Sequence, residues 1–254
     1  MFAPDVTDPR LRIEWSLARI DQFKAALKTF MDGRPYEIVA NAEPYGEGQF
    51  QVHYHVKIRR EAPLSLRYSA GDAIHNLRAT IDNLVWHVGQ KCGAGNYLSL
   101  VFKNTPEEFK KYCTSHRTHK LPSVIQDWLK DIQPFSRSDS GRHLLHVLTR
   151  LWNGDKHRTP ALVAVALPSI AFGGRDPTVV ATVSRLQIVK QGFVDDGDEV
   201  LTTIATMDQI QNFEAAFTFQ VSFKEGETGI AAEFFDVIYK QITEDVFPKF
   251  TPFI

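Results

Sequence analysis

The stretch LWNGDKHRTPALVAVAL, Leu151 to Leu167, holds the change of character that decides the fold. Before Pro160 the apolar residues recur at helical spacing. After it, ALVAVAL is a continuous apolar run with the length of a strand buried on both faces. TVVATVSRLQIVKQG, VLTTIAT and AAFTFQVSF follow, divided by the acidic turn DDGDE and a polar link. In the last run Phe217, Phe219, Val221 and Phe223 alternate with Thr218, Gln220, Ser222 and Lys224, which predicts a half-buried strand.

Upstream, Asp8 and Pro9 read as an N-cap and a first helical residue. Behind them Ile13, Leu17, Ile20, Phe23, Leu27, Phe30 and Met31 keep helical spacing until Asp32-Gly33. Tyr36 to Glu43 and Gln49 to Arg59 predict a hairpin around PYGEG. Its second strand sets Val52, Tyr54, Val56 and Ile58 on one face, and Gln51, His53, His55, Lys57 and Arg59 on the other. A helix is expected from about Ser69, where Ser69 and Asp72 have capping-box spacing, to about Gly89. Thr105, Pro106 and Glu108 mark a short helix start, and Pro122 opens another helix that ends near Pro134. A last amphipathic helix is expected from Ile230 to about Phe247, stopped by Pro248.

Clustered helices and clustered strands argue α+β: a helical bundle packed with a mostly antiparallel β-sheet that both strand groups join. The expected organisation is one domain over residues 1–254. It is helix-rich over 1–158 with a hairpin at 36–59, strand-rich over 159–226, and closed by a helix at 230–247.

With 254 residues, 43% hydrophobic and 23% charged, and a formal net charge of -1, the chain is an ordinary globular one with no global attraction for nucleic acid or anionic membrane. Its start, MFAPDVTDPR, lacks the basic opening and apolar run of a secretory signal. No apolar stretch nears the roughly 20 residues of a membrane helix. Cys92 and Cys113 have no C-x-x-C spacing, so neither a disulfide framework nor a thiolate zinc site is expected. A cytoplasmic protein without cofactor or membrane partner is the expectation.

Two helices carry unusual polar sides. In AIHNLRATIDNLVWHV, Ile74, Leu77, Ile81, Leu84, Val85 and Val88 fill a core wedge of roughly 100° at about 100° per residue. His75, Arg78 and Asp82 edge that wedge, and Arg78 and Asp82 are at ion-pair spacing. The remaining side carries Asn76, Thr80, Asn83 and His87 without lysine or glutamate, so more than one side of the helix is expected to be covered. In RHLLHVLTRLWNGDKHR, Arg142 to Arg158, Leu144, Leu145, Val147, Leu148, Leu151 and Trp152 form a broad apolar face. His143, His146, Arg150 and Asn153 lie opposite, within about 80° by the same arithmetic. His157 joins them if the helix passes Gly154. The expectation is that His75, Arg78, Asp82, His146, Arg150, Asn153 and His157 converge, with Asp155 and Lys156 bordering the same pocket. Arginines and histidines with few acids favour a small anionic ligand, a phosphate or a carboxylate, and a non-enzymatic module that binds such an anion or a protein partner is one reading. A structural reading stands beside it. Arg78–Asp82 then locks two helices, and the basic run after the second helix offsets its dipole by about 0.3–1 kcal/mol per charge.

GDAIHNLRATIDNLVWHV and LWNGDKHR resemble two signature segments of a widespread, uncharacterised bacterial protein family, typified by GD-x-x-H-N-L-R-x-x-[LI]-D-x-L and N-x-DKHR. IQPF and FTFQVSF are also similar to that family. The resemblance covers nearly the whole chain and implies no activity. A second resemblance is to HEPN domains, helical bundles that often act as metal-independent ribonucleases and carry an arginine and a histidine with four to six residues between them. Arg150 and His157, separated by six, fit that spacing, and so do Arg137 and His143. The resemblance implies RNA as substrate, with Arg150 and His157 as catalytic residues. Arg150 would hold the scissile phosphate while His157 moves the proton of the 2′-hydroxyl or leaving oxygen. HEPN-type chemistry often depends on a dimer, so a homodimer is implied too. Leu151 departs from the polar residue usual after the HEPN arginine, and the strand-rich half is foreign to a minimal HEPN bundle.

Other chemistry has less behind it. His53 with His55, His116 with His119 and His143 with His146 have ligand-like spacings, but a zinc site needs three or four convergent donors. The HYH pair reads as a solvated strand face and SHRTHK as a basic loop. A composite of His75, Asp82 and His146 is the remaining metal option, and none is adopted as the expectation. There is no G-x-S-x-G elbow, and GGRDP is no phosphate-cradling loop.

Overall fold

The computed structural model describes residues 8–94, 98–138, 143–155, 162–167, 184–190, 192–208, 218–225 and 228–254. The elements follow the α+β order: a helix, a hairpin, a run of helices, a run of strands and a helical end. Where one domain in consecutive blocks was expected, contacts group the chain into two compact units built from non-consecutive stretches. The first draws on Met1–Ala26, Ser65–Pro160 and Glu233–Ile254, and the second on Leu27–Leu64 and Ala161–Ala232.

The first unit is helical. It is built from α1 (Pro9–Asp32, as far as Ala26), α2 (Leu64–Lys91), α3 (Pro106–Ser115), α4 (Ser123–Asp131), α5 (Leu144–Asp155) and α6 (Phe234–Gln241). Asp8 caps α1 as expected, its Oδ1 accepting from the Arg10 N–H at 2.8 Å. Helix α2 begins five residues before Ser69. Leu66 and Ala70, both buried, extend the core stripe of Ile74, Leu77 and Ile81 by more than a turn, and Ser69 and Asp72 lie inside the helix. Its second covered side is found as well, since buried Thr80 meets Ser16 of α1 through their hydroxyls at 2.8 Å. Helix α3 is capped by Thr105, which accepts from the Glu108 N–H at 3.2 Å. Phe23 of α1 meets Phe235 of α6 edge to face at 5.2 Å.

The C-terminal helix differs from expectation at both ends. Ile230 belongs to a strand, and the helix starts at Phe234. A wider π-helical turn, Ile242–Val246, leads into α7 (Phe247–Phe250). Pro248 stands at the head of that turn, where a missing N–H costs least. Phe250 is fully buried and meets Trp128 of α4 at 5.3 Å, so packing carries the helix past the proline.

The second unit holds two antiparallel four-stranded sheets rather than one. One has the order β1 (Tyr36–Gly46), β2 (Gln49–Ile58), β6 (Glu199–Thr206), β4 (Ser184–Ile188). The other runs β5 (Gly192–Phe193), β3 (Leu162–Leu167), β7 (Thr218–Glu225), β8 (Thr228–Ala231). The hairpin thus joins C-terminal strands as expected, but β3 and β7 build a separate sheet with two short strands too brief to show periodicity. Tyr36 of the first sheet meets Phe219 of the second at 5.4 Å. The hairpin turn is tighter than PYGEG. The strands pair to Gly46↔Gln49, leaving Glu47 and Gly48 at positive φ of 49° and 74°, the conformation two-residue hairpin turns need.

On β2, Val52, Tyr54 and Val56 are buried as expected. The opposite face is not simply solvated. His53 Nδ1 meets Glu199 Oε1 at 2.5 Å and His55 Nδ1 meets the Gly197 carbonyl at 3.1 Å. His116 is likewise held, its ring stacked on Tyr112 at 4.1 Å. Among the described residues no three His, Cys, Asp or Glu side chains are placed to share a metal, and no helix is long and apolar enough to cross a membrane. GGRDP lies outside the described residues.

Burial pushes the Tyr54 phenol up from 10 to about 12. The unfolded chain ionises this phenol first, so its contribution to stability is full below pH 10 and is lost as pH rises towards 12. Urea denaturation between pH 10 and 12 should show stability falling by about 1.4 kcal/mol per pH unit from this group, and Tyr54→Phe should flatten that slope.

Candidate functional site

The site forms in the helical unit, where residues 98–104, between α2 and α3, run beside α5. This segment has no secondary structure to satisfy its backbone, and buried side chains do so instead. Arg78 Nη1 donates to Asp82 Oδ1 at 2.5 Å. The same carboxylate oxygen accepts from the Leu100 N–H at 2.8 Å, and Arg78 Nη2 donates to the Leu100 carbonyl. One residue earlier, the Tyr112 hydroxyl donates to the Ser99 carbonyl at 2.9 Å. Further on, Gln133 accepts from the Lys103 N–H at 2.9 Å and donates to the Val101 carbonyl at 3.0 Å. Gln133 is fully buried and also donates to Leu129 O of α4 at 2.7 Å.

Arg78 is 3% exposed. Burial pulls its guanidinium below the ordinary value, against the opposing pull of Asp82. A guanidinium stays charged through such a shift, so the pair is ionic. Its Nε is buried without a hydrogen-bond partner, a cost that the two filled Nη positions must outweigh. Burial also raises the Tyr112 phenol, which keeps its hydroxyl a donor to Ser99.

Between this segment and α5 lies a cleft of about 300–1,000 Å³ class, with a volume of 490 Å³. Its polar lining is Arg78, Asn104, His146, Thr149, Arg150 and Asn153. Leu100, Phe102, Pro134 and Trp152 supply apolar walls. The four α5 polar residues fall on one stripe, and the stripe changes along its length. His146 is 7% exposed, donates from Nε2 to the Ile132 carbonyl at 2.7 Å and meets the Phe102 ring at 4.0 Å. Arg150 and Asn153 are exposed. The expectation of a polar stripe opposite the core therefore holds at one end only, because His143 and His146 are buried. Helix α5 continues through Gly154 to Asp155.

Of the predicted site residues, Arg78, His146, Arg150 and Asn153 line one cleft. Asp82 stands behind Arg78 and does not line it. His75 does not line it either: its Nδ1 accepts from Trp152 Nε1 at 3.4 Å. Asp155 ends α5, while Lys156 and His157 lie outside the described residues. Sequence reasoning placed Trp152 in the apolar face and did not single out Phe102, Asn104, Tyr112 or Gln133. Trp152 lines the cleft with the Arg78 guanidinium 5.0 Å from its ring centre. For Gln133 a signal existed in a lone amide directly after the apolar Ile132 and before Pro134.

No protein-family model, no curated protein and no solved structure matches the chain.

Arg78 and Arg150 should separate on substitution. Arg78→Ala leaves Asp82 and the Leu100 carbonyl without their cation and should cost about 3 kcal/mol in urea denaturation. Arg150→Ala, at an exposed position, should stay within about 0.5 kcal/mol of the unaltered protein. Gly154→Ala should stabilise by about 0.5–1 kcal/mol, because a Cβ there meets nothing within 4 Å and the helix gains a better former.

Proposed function

We propose that the cleft between residues 98–104 and α5 binds a small anionic ligand, with Arg150 as its principal charged contact. The observation that carries this reading is the composition of one walled cleft. Arg150, Asn153, Asn104 and Thr149 line it, and no aspartate or glutamate does among the described residues. The guanidinium fork donates two parallel hydrogen bonds to a phosphate or carboxylate, and the amides supply further donors. Arg78 also lines the cleft, but its charge is paired with Asp82, and Asp82 and the Leu100 carbonyl occupy its Nη donors. His75 and Asp82 serve as supports for Trp152 and Arg78. Asp155 and Lys156 remain proposed border residues, five and six positions after Arg150 in sequence. Two free cysteines and a near-neutral charge fit a cytoplasmic setting.

A second reading, a HEPN-like metal-independent ribonuclease acting on RNA, is favoured by the cleft volume and by α5. A cleft of 490 Å³ has room for a nucleotide. Arg150 stands on a helix that reaches Asp155, two residues short of His157. In this reading Arg150 neutralises the scissile phosphate, and His157 takes the 2′-hydroxyl proton as that oxygen attacks phosphorus or returns one to the leaving oxygen. A homodimer belongs to this reading.

Two measurements decide between them. Calorimetric titration with inorganic phosphate and acetate should show binding that weakens about ten- to a hundredfold in Arg150→Ala, the loss expected for hydrogen bonds to a charged group. RNA cleavage in EDTA that disappears in folded Arg150→Ala and His157→Ala would establish the nuclease. Intact RNA together with Arg150-dependent anion binding would leave the binding reading alone. Neither binding nor cleavage would overturn both.

A further inference from the structure

We infer that Trp152 sets the specificity of the cleft, and that its ligand is a flat ring bearing an anionic group, the ring against Trp152 and the charge at Arg150. This rests on the reading that the cleft binds an anion.

At about 100° per residue, the α5 residues that line the cleft follow one another around the helix as Trp152, Thr149, Asn153, His146 and Arg150. Trp152 and Arg150 stand at the two margins, roughly 160° apart by the same arithmetic. An inorganic anion on Arg150 reaches one margin only. A ligand that uses both must be elongated, with its charge at one end and an apolar portion at the other, and must cross Thr149 and Asn153.

Trp152 is only half-buried and lines the cleft, whereas an indole that served the core alone would be enclosed. Its ring is held from two directions. Nε1 donates to His75 Nδ1 at 3.4 Å, and the buried Arg78 guanidinium lies 5.0 Å from the ring centre. Arg78 is itself fixed by Asp82 and Leu100. A ring held in place before the ligand arrives loses little freedom on binding, which favours a partner of matching shape. Phe102 adds a second aromatic wall and is seated on His146 at 4.0 Å. Pinned aromatic walls select flat rings over saturated ones, because stacking needs face-to-face or offset approach at van der Waals distance. Asn153 lies between the two margins, and its amide offers a donor and an acceptor to polar atoms on the ring edge.

Two kinds of ligand share this chemistry, an aromatic carboxylate and a nucleoside monophosphate, and paired probes distinguish them. The experiment is calorimetric titration of the full chain with benzoate against cyclohexanecarboxylate, and with adenosine 5′-monophosphate against ribose 5-phosphate. In at least one pair the flat-ring member should bind about tenfold tighter, the scale of one stacking contact. That pair identifies the source. Trp152→Leu should erase the preference while Trp152→Phe keeps most of it, and Arg150→Ala should weaken both members of the pair equally. The ligand pairs on the unaltered protein decide the matter even if Trp152→Leu fails to fold. Equal binding within both pairs, still dependent on Arg150, overturns the role of Trp152 and leaves the anion site standing. No binding by any of the four overturns both.

Discussion

The site depends on one constraint, the hydrogen-bonding needs of a backbone segment that is neither helix nor strand. From Ser99 to Lys103 the polar groups of the main chain lie beside packed helices, with Leu98 and Leu100 buried. A buried amide without a partner costs about 1–3 kcal/mol, so such a segment persists only if other groups complete it. Tyr112 takes Ser99, the Arg78–Asp82 pair takes both groups of Leu100, and Gln133 takes Val101 and Lys103. Three polar side-chain systems from α2, α3 and the end of α4 thus define the course of one loop. That loop is a wall of the cleft.

The Arg78–Asp82 pair shows why a buried charge is retained where an apolar pair would pack as well. Desolvation of a guanidinium roughly cancels its attraction to one carboxylate, so ion pairing alone gives little stability. Here each partner also bonds the same residue of the loop, Asp82 to its N–H and Arg78 to its carbonyl. A leucine and a methionine of similar volume would fill the space but leave Leu100 with two unsatisfied groups. The pair specifies a backbone path more than it stabilises a helix. Through the contact of Arg78 with Trp152 it also links that path to α5.

How much of this was legible in the sequence follows from the range of each interaction. Elements with a local signature were readable, such as the Asp8-Pro9 start of α1, the Thr105 cap of α3 and the alternation of β2. The Arg78–Asp82 pair was readable because both partners sit on one helix at i, i+4. Features set by tertiary partners were not. Helix α2 starts at Leu64 because Leu66 finds a core, and two sheets form because β5 and β8, of two and four residues, complete the second. Gln133 was hidden because its partners are main-chain atoms some 30 residues away, which no side-chain pattern announces. Trp152 was assigned to the core because an indole at the edge of an apolar face has the same spacing whether it faces a neighbour or a cleft.

Helix α5 is buried at one end and open to solvent at the other. One polar stripe runs along it, yet its residues do different work. At the buried end the His146 imidazole is committed to the Ile132 carbonyl and to Phe102, so it anchors the loop wall to the helix. At the open end Arg150 and Asn153 reach solvent. The stripe thus runs from a buried end that holds the loop wall to an end that faces solvent. Buried contacts therefore lie in the early turns of α5 and solvent-facing polar groups in the late ones. Under the proposed binding role, substitutions at Arg150 and Asn153 act on the ligand, whereas a change at His146 removes its contacts with the Ile132 carbonyl and Phe102. This separation lets a single short helix be both a packing element and the bearer of the proposed site.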